Sequence, residues 1–221
     1  MTALFDTAWL LLFGLPGQQP GGLLLSVLLF AAAGGLAVLL GFAYAMAATA
    51  FPAAALPLQA ASALLRGIPP LLLVFVLAHV VSASTLLAGV LALALYSFSH
   101  TGEILRSFLG AYPPGLAEQA RVMGVAPWRD WLTLRLPWLL WRGLPALLTH
   151  WVSLLKDTGA LVVIGVGELT TVAKLLSEAR SDWAAWIEVL GLASAFYLGA
   201  TLVLLKLLPA LARALRCVPP V

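Results

Sequence analysis

Charge is what this chain has least of: 10% of its 221 residues are charged, where an ordinary soluble domain carries about a quarter. With 62% apolar residues and a mean hydropathy of +1.04, a water-soluble globule is excluded and an all-α integral membrane protein is expected. Cysteine is nearly absent. The single one, Cys217, rules out intrachain disulfides and cysteine-rich metal sites, and no metal site is expected. The P-loop pattern GxxxxGK[ST] is missing, so any ATP that drives this protein is hydrolysed on another chain. An HExxH helix and a rhomboid-like GxSx serine motif are also missing, and His79, His100 and His150 lie far apart. These absences disfavour a membrane-embedded hydrolase. A basic n-region ahead of the first apolar run is not evident, so the first span is expected to serve as its own insertion signal.

What is present is a series of apolar runs. A hydrocarbon core of about 30 Å needs roughly 20 helical residues. On that scale residues 23–46, 58–80, 86–109, 138–155 and 187–208 read as five spans. Residues 1–20, whose apolar run is too short to cross, read as an interfacial segment ahead of one membrane domain over 21–215. Gly34, Gly35 and Gly41 suit a first span that neighbours approach closely, with a simply alanine-rich span as the alternative. The net charge of +3 is spread along the chain rather than clustered, so no nucleic-acid partner is expected and the basic residues serve as topology signals. Arg106, Arg121, Arg129, Arg135 and Arg142 surround one loop, and Arg213 and Arg216 sit in the tail. The positive-inside rule places both in the cytoplasm and the N-terminus outside.

That loop, residues 112–137, is the one long polar interruption. Pro114 suits the first turn of a short helix, Glu118 is read as an acid near its N-terminus, and Gly124 supplies a stop. A second short helix over 128–136 is expected to end at Pro137. Ionisable groups at bilayer depth are costly, so each needs a partner or a purpose. Arg66 and Glu103 both fall in the cytoplasmic third, where the favoured reading is a structural ion pair between two helices and a substrate role is the alternative. Nearer the middle lie Ser97, Ser99 and His100 on the third span and Thr149, His150 and Ser153 on the fourth. Lys156 and Asp157 close the fourth span. His100, His150, Ser153 and Asp157 are candidates for a solute pathway.

The loop carries a family resemblance. Glu118, Gln119 and Ala120, then Gly124, then Leu134 to Pro137 resemble the cytoplasmic EAA loop of ABC importer permeases, with Gln119 where alanine is common and Leu134 where isoleucine is usual. Arg66 to Pro69 is similar to an RGTP segment, Gly102 to Arg106 to AEIFR, and Leu154 to Thr158 to LLKDT, in the order found in permeases for polar amino acids and opines. The resemblance implies a five-helix type I importer permease fold, with Gly115, Glu118, Gln119, Ala120, Gly124 and Pro137 forming the coupling helix that docks on an ATPase. It further implies an ABC ATPase dimer carrying ATP and magnesium, a second permease subunit that is a copy or a paralogue, and a soluble solute-binding protein. The bacterial inner membrane and polar amino acid import follow. Histidines stand at positions 100 and 150 where the family usually has tyrosine and asparagine. A structural membrane subunit without solute passage is the remaining alternative.

Overall fold

A computed structural model describes residues 2–17, 20–81, 84–180 and 182–214. Cys217, Arg216 and Gln18 lie outside these residues. Among the described residues the chain is almost wholly helical: α1 (Thr2–Phe13), α2 (Gly22–Ala50), α3 (Pro52–Gly67), α4 (Pro70–Val80), α5 (Thr85–Gly110), α6 (Pro114–Val122), α7 (Pro127–Asp130), α8 (Leu136–Asp157), α9 (Leu169–Glu178) and α10 (Trp183–Ala214). A π-helical turn, Trp131–Arg135, joins α7 to α8, and a 3-10 stretch, Thr158–Ile164, follows α8.

Four helical segments are long and apolar enough to cross a membrane: Gly22–Ala50, Thr85–Gly110, Pro127–Ile164 and Trp183–Leu207. The fifth crossing exists only if α3 and α4, bent by 99° at their junction, are counted together. The span expected over 58–80 is thus a bent pair of helices rather than one continuous helix. Pro69 and Pro70 lack the amide hydrogens a helix would need and bias Ile68 toward extended backbone, and Ile68 has φ −87° and ψ 122°. Pro57 lies inside α3, and Phe51 alone separates α2 from α3.

The second correction concerns Pro137. It does not end a helix; it sits in the first turn of α8, and the helical path from Pro127 to Ile164 is continuous. The π-helical turn explains this. Leu136 N–H reaches back five residues to the Trp131 carbonyl, and the wider turn relieves the crowding that a proline ring imposes on a regular α-helix.

The packing follows small residues. On α2, Gly41 presses against Gly102 of α5 so closely that a Cβ at position 41 would lie 2.9 Å from the Gly102 nitrogen. That contact lets α2 and α5 run together as the central pair. Three apolar clusters fill the interior. One is built on Leu29, Leu93, Leu154 and Leu161, one on Leu11, Leu169, Val172 and Val189, and one on Tyr44, Leu105, Leu139 and Leu147. The second gives the N-terminal segment a definite place: α1 packs on α9 and α10, and Arg180 donates to Thr7 Oγ1 at 2.8 Å.

Beside that cluster lies Glu168, fully buried. It caps α9 by accepting from the Thr171 N–H at 2.8 Å and the Thr170 N–H at 2.9 Å. Thr171 Oγ1, the Tyr197 hydroxyl and Ser26 Oγ also donate to it. One carboxylate thus ties α2, α9 and α10 together, and the Gly22 N–H completes the junction by donating to the Gly167 carbonyl at 2.9 Å. Burial nevertheless pushes the Glu168 carboxyl above the ordinary carboxylate range, against the pull of these donors.

Candidate functional site

On α5 the polar residues His100, Glu103 and Ser107 recur with Ile104 at the three- and four-residue spacing that puts them on one helix face. That face, with Arg66 from the end of α3 and His150 from α8, lines a cavity of about 330 Å³. Two other cavities, between α2, α8 and α10, are walled almost wholly by apolar residues such as Phe30, Gly34 and Leu204.

At one end of the cavity Glu103 is held from several directions. Tyr44 of α2 donates its hydroxyl to Oε2 at 2.8 Å, and Arg106 donates to Oε1 from Nε at 2.9 Å and also from Nη2. Arg66 Nη1 stands 3.5 Å from Oε2. The Arg66 group is positioned less by that contact than by two hydrogen bonds from Nη1, one to Ser62 Oγ at 2.9 Å and one to the Ser99 carbonyl at 3.2 Å. Ser62 itself donates to the same carbonyl at 3.2 Å. Arg66 and Glu103 are thus neighbours, as sequence depth suggested, but Arg106 makes the closer bond to Glu103 and both groups face the cavity. Tyr44 and Ser62 were missed in the sequence because neither stands out within an apolar helix.

The two histidines meet. Their rings stack with centroids 5.0 Å apart and planes 9° from parallel. His150 Nε2 and Ser97 Oγ are 2.9 Å apart, joining α8 to α5. His100 Nδ1 lies 3.1 Å from the Tyr96 carbonyl. A carbonyl only accepts, so Nδ1 carries the hydrogen and the neutral ring keeps Nε2 as an acceptor. The remaining pathway candidates are not gathered here. Ser153 turns its hydroxyl back to the Thr149 carbonyl at 3.3 Å, and Lys156 is exposed. Asp157 is half-buried and within electrostatic reach of His100 and Lys156, but it does not line this cavity. Among the described residues no group of three His, Cys, Asp or Glu is placed to hold a metal.

The polar loop forms a second surface. Pro114 opens α6, Ala117 and Ala120 are buried on its inner side, and Glu118 and Gln119 are exposed. Glu118 lies beyond the first turn of α6 rather than within it, so the helix dipole does not favour an acid there. Gly124 adopts φ +69°, the left-handed conformation that ends the helix, and the Val125 N–H returns to the Ala120 carbonyl at 2.9 Å. Gly115 is exposed with open space around it. Val122, Met123, Trp128 and Leu132 present an apolar patch to the outside.

Beneath this patch Arg135 bonds Asp130 at 2.6 Å and lies over the rings of Tyr112 and Trp131. Burial, and then the charge of Asp130, push the Tyr112 phenol above its usual range. Trp138 packs edge-on against Tyr112 and Phe108. Trp138 thus ties the loop to α5 by packing.

Residues 37–216 match the family described as "Binding-protein-dependent transport system inner membrane component". The arginine ABC transporter permease protein ArtQ of Haemophilus influenzae is 29% identical over 159 residues, 66% of this chain and 71% of that protein. The glutamine transport system permease protein GlnP of Escherichia coli is 31% identical over 129 residues, 58% of each. The match to ArtQ of Escherichia coli spans 49% of that relative's length. Among solved structures, one described as "Crystal structure of an amino acid ABC transporter with histidines" superposes with a TM-score of 0.77 over 96% of this chain and 97% of that one, at 24% identity. That likeness carries the fold.

Proposed function

The chain belongs to the family of inner membrane components of binding-protein-dependent transport systems, and from that premise we propose that it is the permease subunit of an ABC importer that carries polar amino acids into the cytoplasm. Members of this family are transport components that work with an ATPase and a soluble binding protein. The observation supporting a solute path is the 330 Å³ cavity, in which Arg66, His100, Glu103 and His150 collect from three helices of an otherwise apolar chain. A polar solute crossing a bilayer must exchange its hydration for fixed polar groups, and this is where they stand.

In the proposed complex two permease subunits, copies or paralogues, enclose the path, and ATP and magnesium reside on an ATPase dimer. The ATPase docks on residues 113–136. Supporting this are the exposed Glu118 and Gln119, the left-handed Gly124 and the apolar patch around Trp128. The arginines of this loop and of the tail argue for a cytoplasmic C-terminus and an outside N-terminus. Asp157, at the far end of α8, is proposed to meet the solute ammonium before it reaches the histidines.

The test is uptake of labelled amino acids into proteoliposomes holding the full complex with its binding protein. ATP-dependent accumulation of at least one polar amino acid is expected. Assembled, ATP-hydrolysing complex that accumulates none of them removes the amino acid reading.

A further inference from the structure

The cavity wall is chemically lopsided. Glu103 is its one carboxylate, and that group is already engaged: Oε1 accepts twice from Arg106, and Oε2 accepts from Tyr44 with Arg66 close by. An incoming ammonium would have to displace one of these donors. Arg66 is the reverse case. Both of its hydrogen bonds leave from Nη1, so Nε and Nη2 make none among the described residues. A guanidinium presents its donors as a rigid fork matched to the two oxygens of a carboxylate. With one edge pinned by Ser62 and Ser99 and the other unspent on a cavity-lining residue, Arg66 is preorganised for such a partner.

The net charge points the same way. Two guanidinium groups, Arg66 and Arg106, stand against the single Glu103, leaving one positive charge at this end of the cavity. Farther along α8, Lys156 and Asp157 are adjacent and opposite in sign. When its ring is uncharged, His100, with Nδ1–H committed to the Tyr96 carbonyl, offers Nε2 as an acceptor. A donor fork and an acceptor in one cavity complement a carboxylate and an ammonium on the same small molecule.

We infer that Arg66 is a solute-binding residue which takes the carboxylate of the carried molecule on its Nε and Nη2 edge, that Glu103 anchors this guanidinium rather than binding solute, and that the cavity therefore selects carboxylates of zero or negative net charge over cationic solutes. This deepens the import reading and rests on it for the word "carried". A solute with net positive charge meets the unbalanced guanidinium with no free acid beside it. Arg66 is thereby moved from the ion-pair role that its sequence position suggested to the specificity of the path.

The experiment reads the Arg66 edge directly. Purified permease–ATPase complex in detergent is treated with the arginine reagent phenylglyoxal, and modification of the Arg66 peptide is followed by mass spectrometry. Millimolar L-glutamine, succinate or 4-aminobutanamide, the last being glutamine without its carboxylate, is present in separate arms. Glutamine and succinate are expected to slow modification of Arg66 several-fold and 4-aminobutanamide to leave it unchanged. Equal rates in all arms, equal protection by the decarboxylated amine, or an Arg66 that does not react without solute would each overturn the inference. Protection by carboxylates in a complex that accumulates no amino acid keeps this binding site and removes the amino acid reading above; uptake without protection does the opposite.

Discussion

Glu168 and Glu103 are both set among the helices of this molecule and are treated in opposite ways. Glu168 has no exposed surface and is surrounded by neutral donors, two backbone amides and three hydroxyls contributed by α2, α9 and α10. Glu103 keeps about a quarter of its side chain exposed (26%) and is held chiefly by guanidinium groups at the wall of an open cavity. Neutral donors saturate a carboxylate without bringing charge that must itself be balanced, which suits a junction meant to stay shut. Guanidinium partners leave donors over, which suits a surface a solute must enter. The same residue type thus marks a seal at one end of the bundle and a port toward the other.

The largest effect is expected where both regions depend on one contact. Gly41→Leu drives a side chain into Gly102 and should cost about 1–3 kcal/mol or more through overpacking, and little monodisperse complex should be recovered on gel filtration. Next is Glu168→Ala, which leaves the α9 amides and buried hydroxyls unpaired at about 1–3 kcal/mol per unsatisfied group. The melting temperature of the purified complex should fall by several degrees and recover in large part with Glu168→Gln.

Glu103→Gln should lower that melting temperature less, because Tyr44, Ser62 and Ser99 still pin the neighbouring groups; a larger drop than for Glu168→Ala would remove the distinction between seal and port. Gly124→Asp should leave assembly intact while abolishing solute-stimulated ATP hydrolysis, since a Cβ strains the φ +69° turn and a new negative charge is set beside the proposed docking patch. Coupled transport at the wild-type rate in this variant would dissociate the loop from the ATPase. The mildest perturbation is a cysteine at Gln119 in a background without Cys217. An impermeant maleimide added to intact cells should fail to label it, and labelling from outside would invert the proposed topology.

Much of this architecture was readable in the residues. Hydropathy located the crossings because a lipid-facing helix needs little else, and the Glu118 to Pro137 spacing marked the loop because polar residues are rare here. The bend between α3 and α4 was written in Pro69 and Pro70, but a run of apolar residues on both sides masked it. Glu168 was harder to see. Its partners Ser26, Thr170, Thr171 and Tyr197 are scattered along the sequence, and only the packing of α2, α9 and α10 brings them to one point. The cavity was half legible: the spacing of His100, Glu103 and Ser107 shows a polar face, whereas the contribution of Arg66 depends on which of its nitrogens the serines occupy.

The π-helical turn at Trp131–Arg135 sets the phase of everything after it. Each α-helical residue advances the side-chain direction by about 100°, and a π turn accommodates one residue more than an α turn does. Without it, every side chain of α8 would point about 100° away from its present bearing relative to the loop. His150 would leave Ser97 and the face of His100, and the solute cavity would lose one of its walls. The angular alignment between the exposed Trp128 and the stacked histidines, some 33 Å apart at 1.5 Å per residue, is thus encoded by the five residues of one turn.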